Sequence, residues 1–221
     1  MLEAICFDLD GTLARYHGDF VELVGRFASG SESSGLESPP DTNTLLQTFS
    51  RCEKRAGHVT LPKILTCLAA ELDINMDEAK LQAVARNLLE SYVKDMRLLP
   101  GAEAALQLAG THTKLALISN GPSDMQRAVL AELELEHYFD AILVSGDADI
   151  GVRKPDAGIF ELALKRLGVA PANALMIGDN LEADIAGAAW LGMQTLHVAQ
   201  TPSAAETAVK DVAAYLEDRL I

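Results

Sequence analysis

The chain has 221 residues, 49% of them hydrophobic and 23% charged, with 32 acidic against 18 basic side chains and a formal charge of −14. That size and mix suit a soluble globular enzyme, built as one large core or a core carrying an insertion. The excess negative charge argues against a nucleic-acid polymer or an anionic membrane as partner. No apolar run reaches bilayer-spanning length, and no basic segment leads into a cleavage site, so no signal peptide is predicted.

In chain order, Leu2 to Phe7 (LEAICF) reads as a buried strand. It runs straight into Asp8-Leu9-Asp10-Gly11-Thr12. A strand has period two, so Asp8 and Asp10 share a face if the backbone stays extended. Two adjacent acids allow one to stay ionised while the other carries a proton, and they invite a hard divalent cation.

From Arg15 to Leu98 the apolar positions fall at helical spacing, as in Phe20, Leu23, Val24, Phe27 and Leu81, Val84, Leu88. About four helices and no strand are expected here. Between the first two, Ser29 to Pro40 (SGSESSGLESPP) reads as a loop. The cysteines Cys6, Cys52 and Cys67 are few, odd in number and without zinc or redox spacing. They point to a reducing, cytoplasmic compartment, with Cys6 as a small core residue.

Beyond about Thr113, strands and helices alternate. Lys114 to Ser119 reads as a strand, and Ser123 to Gln126 has the S-x-x-Q form of a capping box opening a helix to about Glu136. Ala141 to Val144, Ala174 to Ile177 and Met193 to Val198 read as further strands, with helices over Asp156 to Leu167 and Asn180 to Leu191. The predicted fold is α/β: a Rossmann-like, doubly wound parallel sheet from residues 1–14 and 99–221, with 15–98 inserted as an α-helical cap.

Four strand ends carry polar groups suited to chemistry: Asp8 with Asp10, Ser119-Asn120-Gly121, Lys154-Pro155-Asp156, and Gly178-Asp179-Asn180 with Asp184 behind it. Singly, each has an ordinary explanation. Ser-Asn-Gly makes a turn, a loop lysine is solvated, and Asp179 serves as an N-cap. In an open α/β sheet, however, the C-terminal strand ends meet in one crevice. There, four carboxylates would face one lysine, and like charges about 5 Å apart repel by roughly 3 kcal/mol at an effective dielectric near 20. A Mg²⁺ ion resolves that conflict and leaves positions for water and a phosphate oxygen. The backbone amides at Asn120 and Gly121, before a helix, suit phosphate. The set reads as a phosphoryl-transfer site.

These residues resemble the haloacid dehalogenase superfamily, which consists mostly of phosphatases. Asp8-Leu9-Asp10-Gly11-Thr12 matches its first motif, Ser119 the second, Lys154 the third, and Gly178-Asp179 through Asp184 the fourth. The resemblance implies that Asp8 attacks phosphorus and forms an aspartyl phosphate. It makes Asp10 the proton carrier, whose backbone carbonyl also binds Mg²⁺. Asp8 and Asp179 supply carboxylates to the metal, with Asp184 acting through water or by holding Lys154. Ser119 and the Asn120 and Gly121 amides hold phosphoryl oxygens, and Lys154 neutralises the nucleophile. Dehalogenases of this superfamily lack the second acid, so Asp10 argues for a phosphatase.

The expected substrate is a small phosphorylated metabolite, a nucleotide or sugar phosphate. Arg55 and His58, in a break between cap helices, are candidates for contacting the leaving group, against a plain solvated helix end. Tyr16 and His17 are second candidates, and Trp190 is expected to pack. The alternatives are a phosphomutase using the same residues and a non-catalytic phosphate-binding module. No oligomeric state is assigned.

Overall fold

The computed structural model of the protein describes residues 1–29, 40–55, 57–198 and 212–220. The loop expected within 29–40 falls outside them except at its ends. The first half of the chain gives β1 (Ala4–Phe7), β2 (Ala14–Tyr16), α1 (Phe20–Ser29), α2 (Thr42–Glu53), α3 (Leu61–Glu71), α4 (Glu78–Lys94) and β3 (Met96–Leu98). The second half gives α5 (Ala102–His112), β4 (Lys114–Ser119), α6 (Ser123–Glu132), β5 (Ala141–Val144), α7 (Ala157–Leu167), β6 (Ala174–Gly178), α8 (Gly187–Trp190) and β7 (Gln194–His197).

Five strands form a parallel sheet in the order β5-β4-β1-β6-β7. β1 lies at its centre because both neighbours shield it. Its residues alternate between two apolar layers, with Ala4 and Cys6 facing α7 through Ile159, Phe160 and Ala163. Ile5 and Phe7 face the other layer, which takes in Leu106 of α5 and Val129 of α6. Helices on both faces explain why every residue of β1 and β6 is buried. From β1 the chain winds outward through β4 and β5, then returns to place β6 on the other side of β1. The carboxyl ends of β1 and β6 therefore flank the point where the winding reverses, the usual place for a ligand crevice in such sheets.

Residues 15–98 depart from the sequence reading in one respect. Besides four helices among the described residues, they take part in a two-stranded antiparallel ribbon, with Ala14 paired to Leu98 and Tyr16 to Met96. Three-residue strands are too short to leave a period-two signature. The ribbon carries the chain from the sheet to the helices and back.

The cysteine reading is corrected. Cys52 of α2 and Cys67 of α3 form a disulfide, with Cα atoms 5.9 Å apart. A separation of 15 residues carries no pairing signal, and only the docking of α2 on α3 brings the two together. Cysteine usage therefore no longer argues for a reducing compartment. Cys6 is buried in the core, and burial pushes its thiol up to about 12. Among the described residues, no helix is long and apolar enough to cross a membrane.

Candidate active site

Asp8 is the first residue past β1, and its N–H still donates to Ile177 O at 3.0 Å. The chain then turns sharply. Gly11 adopts φ +84°, where a side chain would be strained, and Leu9 O accepts the N–H groups of Leu13 and Ala14 at 2.9 and 3.0 Å. This turn leaves Asp8 buried and Asp10 partly open.

The two acids have different partners. Asp8 Oδ1 accepts from Lys154 Nζ at 2.6 Å and Oδ2 from the Thr12 hydroxyl at 3.1 Å. Asp10 Oδ2 accepts from Gln126 Nε2 at 2.6 Å, and Oδ1 lies 3.4 Å from the Tyr92 hydroxyl. Burial raises the pKa of both, that of Asp8 to about 7, with Lys154 pulling it the other way. Lys154 is itself buried and fully engaged. Its ammonium also donates to Ile118 O at 2.6 Å and sits 2.7 Å from Asp184 Oδ1. Burial works against its charge, but Asp8 and Asp184 outweigh that and hold its pKa above the ordinary value.

Asp184 is held by the Asn180 N–H at 3.0 Å as well as by Lys154. Asp179, just past β6, has no such support: its buried Oδ2 has no hydrogen-bond partner among the described residues. Burial and the neighbouring Asp184 raise its pKa to about 6. Carboxylate oxygens of Asp8, Asp179 and Asp184 lie within 4.8 Å of one another. An unpartnered buried carboxylate oxygen beside two more carboxylates is a poor arrangement alone and a good one around a hard divalent cation. The residues present fit Mg²⁺.

The residues expected to cradle phosphate also make contacts within the protein. Ser119 is buried, and its Oγ accepts from Gln126 Nε2 at 2.6 Å. The Asn120 side chain is not turned to the crevice; it pairs with the Lys154 backbone, Nδ2 to O at 2.8 Å and N to Oδ1 at 2.9 Å. It fixes the loop that carries the lysine. The Gly121 N–H donates to Ser145 Oγ at 3.1 Å, so that amide is engaged within the protein rather than turned to a phosphate.

Gln126 is also a correction to the capping box. The N-cap of α6 is Pro122, the Ser123 hydroxyl donates to Asp147 Oδ1 at 2.5 Å, and Gln126 faces the catalytic crevice. The sequence pattern matched, but tertiary partners on both sides took the two side chains. The helix also ends at Glu132 rather than near Glu136.

Above Asp10 opens a cleft of about 610 Å³ lined by Gly11, Arg15, Tyr16, Phe20 and Tyr92. Tyr16 stacks on Tyr92 with ring centroids 4.9 Å apart, so Tyr16 both packs and borders the site. His17 is exposed. Arg55 pairs with Glu71 at 2.9 Å and lines a separate cavity of about 230 Å³ with Lys54, Val59, Ser145 and Arg153. His58 is exposed beside Lys63, whose Nζ lies 3.4 Å from its Nδ1. Trp190 does not pack: it is 87% exposed, at the end of α8.

The family model for haloacid dehalogenase-like hydrolases matches residues 2–192. The chain belongs to this family. It is 41% identical over 118 residues to a phosphoserine phosphatase of Thermus thermophilus, covering 52% of this chain. That match spans about half of the relative, 47% of its length. A glyceraldehyde 3-phosphate phosphatase of Pyrococcus abyssi is 31% identical over 198 residues, 89% of this chain and 81% of the relative. In fold, the chain is similar to a HAD phosphatase from Thermococcus onnurineus, with a TM-score of 0.65 at 22% identity over 91% of this chain and 88% of that one.

Proposed function

We propose that the protein is a Mg²⁺-dependent phosphatase that hydrolyses a small phosphomonoester through a phosphorylated Asp8. The observation that carries this reading is the division between the two acids. Asp8 is held by an ammonium and a hydroxyl, whereas Asp10 receives the neutral donors Gln126 and Tyr92 and borders the open cleft. Phosphatase names on relatives over most of the chain support it.

Lys154 and Thr12 hold the Asp8 carboxylate, and the ammonium works against burial to favour the ionised form that attacks. The bond from Asp8 to phosphorus forms as the ester P–O bond breaks, and Asp10 passes its proton to the departing oxygen. Asp10 then takes a proton from water as the water oxygen attacks phosphorus, the Asp8–phosphorus bond breaks, and phosphate leaves. The Ser119 hydroxyl and the Asn120 N–H would hold phosphoryl oxygens. Mg²⁺, when bound, supplies positive charge to the transferring group. Asp8, Asp179 and the Asp10 carbonyl would hold it, with Asp184 beside them.

The test is release of inorganic phosphate from p-nitrophenyl phosphate. Turnover should need Mg²⁺, stop with a chelator, and vanish in Asp8→Asn. Undiminished turnover in that variant overturns the mechanism.

A further inference from the structure

We infer that Gln126 is the positioning residue of this site, tying the proton carrier Asp10 to the phosphate-binding Ser119 through one side-chain amide. The inference rests on the phosphatase reading and adds a part that the strand-end motifs do not contain.

Gln126 lies in the first turn of α6 and is 2% exposed. Its Nε2 is 2.6 Å from Asp10 Oδ2 and 2.6 Å from Ser119 Oγ. Both contacts are made by the –NH₂ end of the amide. That end has two hydrogens, and the two short contacts use both. Two consequences follow for the chemistry. Asp10 Oδ2 is occupied by a donor, so the proton that this carboxyl carries sits on Oδ1, the oxygen toward Tyr92, which lines the cleft. The Ser119 oxygen already accepts a hydrogen bond, so its own proton is free for a phosphoryl oxygen.

The backbone makes room for this arrangement. A Cβ at position 121 would lie 2.9 Å from Gln126 Cδ and 3.0 Å from Cγ. Gly121 therefore lets the Gln126 side chain pass under the loop to reach both partners. Tyr92 does not do the same job, since 3.4 Å is long for a hydroxyl donor.

A buried glutamine could serve only to fill space with its hydrogen bonds satisfied. Leaving-group dependence separates the two roles. A dinitrophenolate departs without a proton, whereas phenolate needs one far more, and kcat/KM reports the step in which the ester bond breaks. In Gln126→Met, kcat/KM for phenyl phosphate should fall about 100-fold and that for 2,4-dinitrophenyl phosphate about 10-fold. The common part is lost Ser119 positioning, and the excess is lost acid positioning. Gln126→Glu keeps the size but sets a carboxylate against Asp10; it should show the same selective loss and serves if the Met variant does not fold. Equal losses for both esters in a folded variant overturn the inference and leave the phosphatase reading standing. Wild-type protein that releases phosphate from neither ester overturns that reading, and this inference with it.

Discussion

The Asp184 carboxyl fills the space that a side chain at position 178 would need. A Cβ on Gly178 would lie 2.5 Å from Asp184 Cβ and overlap its carboxyl group. Asp184 in turn holds Lys154, and Lys154 holds Asp8. A missing side chain at the end of β6 thus sets the position of Asp8 three contacts away.

Gly178→Ala should therefore fold and fail. The cost in stability is about 1–3 kcal/mol, as for an overpacked core. Displacement of Asp184 should lower turnover by about 100-fold, the scale expected when a catalytic group moves by an ångström. Parallel thermal melts and phosphate-release assays check this; full activity would show that the site tolerates a shifted Asp184.

Lys154→Met tests the same chain of contacts from its centre. Removing the ammonium leaves Asp8 and Asp184 buried beside one another with no cation. Breaking one side of a buried ion pair typically costs about 3–5 kcal/mol. Urea unfolding at pH 8 without Mg²⁺ should show that loss, and Mg²⁺ should restore part of it. A midpoint unchanged from wild type would contradict the account.

Much of this site is legible in the sequence, and the exceptions share a cause. Asp8, Asp10 and Asp179 sit just past strand ends, Lys154 and Asp184 lie on the segments that follow β5 and β6, and a parallel sheet gathers its strand ends into one crevice. Order along the chain therefore predicts proximity in space. Gln126, Arg15 and Tyr92 reach the crevice from an α6 turn, the β2 ribbon strand and the last turn of α4. Which way those side chains point depends on how the elements dock, and no local pattern encodes that. Gln126 even carried a false local signal, as the last residue of a capping box. The Cys52–Cys67 bond and the exposure of Trp190 escaped the sequence for the same reason.

The raised acids predict an inverted pH response for the metal-free protein. Asp8 and Asp179 titrate near 7 and 6 when folded, against an ordinary 3.8. Between about pH 4 and 7 the folded state binds more protons than the unfolded chain, so stability falls as pH rises through that window. Mg²⁺ binds the deprotonated carboxylates and reverses the trend. The gain in Tm from added Mg²⁺ should be larger at pH 8 than at pH 5. An equal gain at both would remove Asp8 and Asp179 from the metal site.

Asp124 links the helical insertion to the sheet. Its carboxylate accepts the Leu61 N–H at the start of α3, at 2.9 Å, while Val59 bonds through its backbone to Gly146 and Ser123. Asp124→Ala removes an acceptor that acts as an N-cap from another element, a loss of about 1 kcal/mol. Hydrogen exchange should show faster exchange at Leu61 and Val59 with the sheet amides unchanged. Unchanged exchange at Leu61 would show that this contact does not hold the insertion.

Covalent catalysis by Asp8 leaves an intermediate that can be trapped. Enzyme mixed with Mg²⁺ and p-nitrophenyl phosphate, quenched within one turnover and reduced with borohydride, converts an aspartyl phosphate into homoserine. Peptide mass spectrometry should find homoserine at position 8 and unmodified aspartate at position 10. Phosphate release with both aspartates unmodified at every quench time would contradict it.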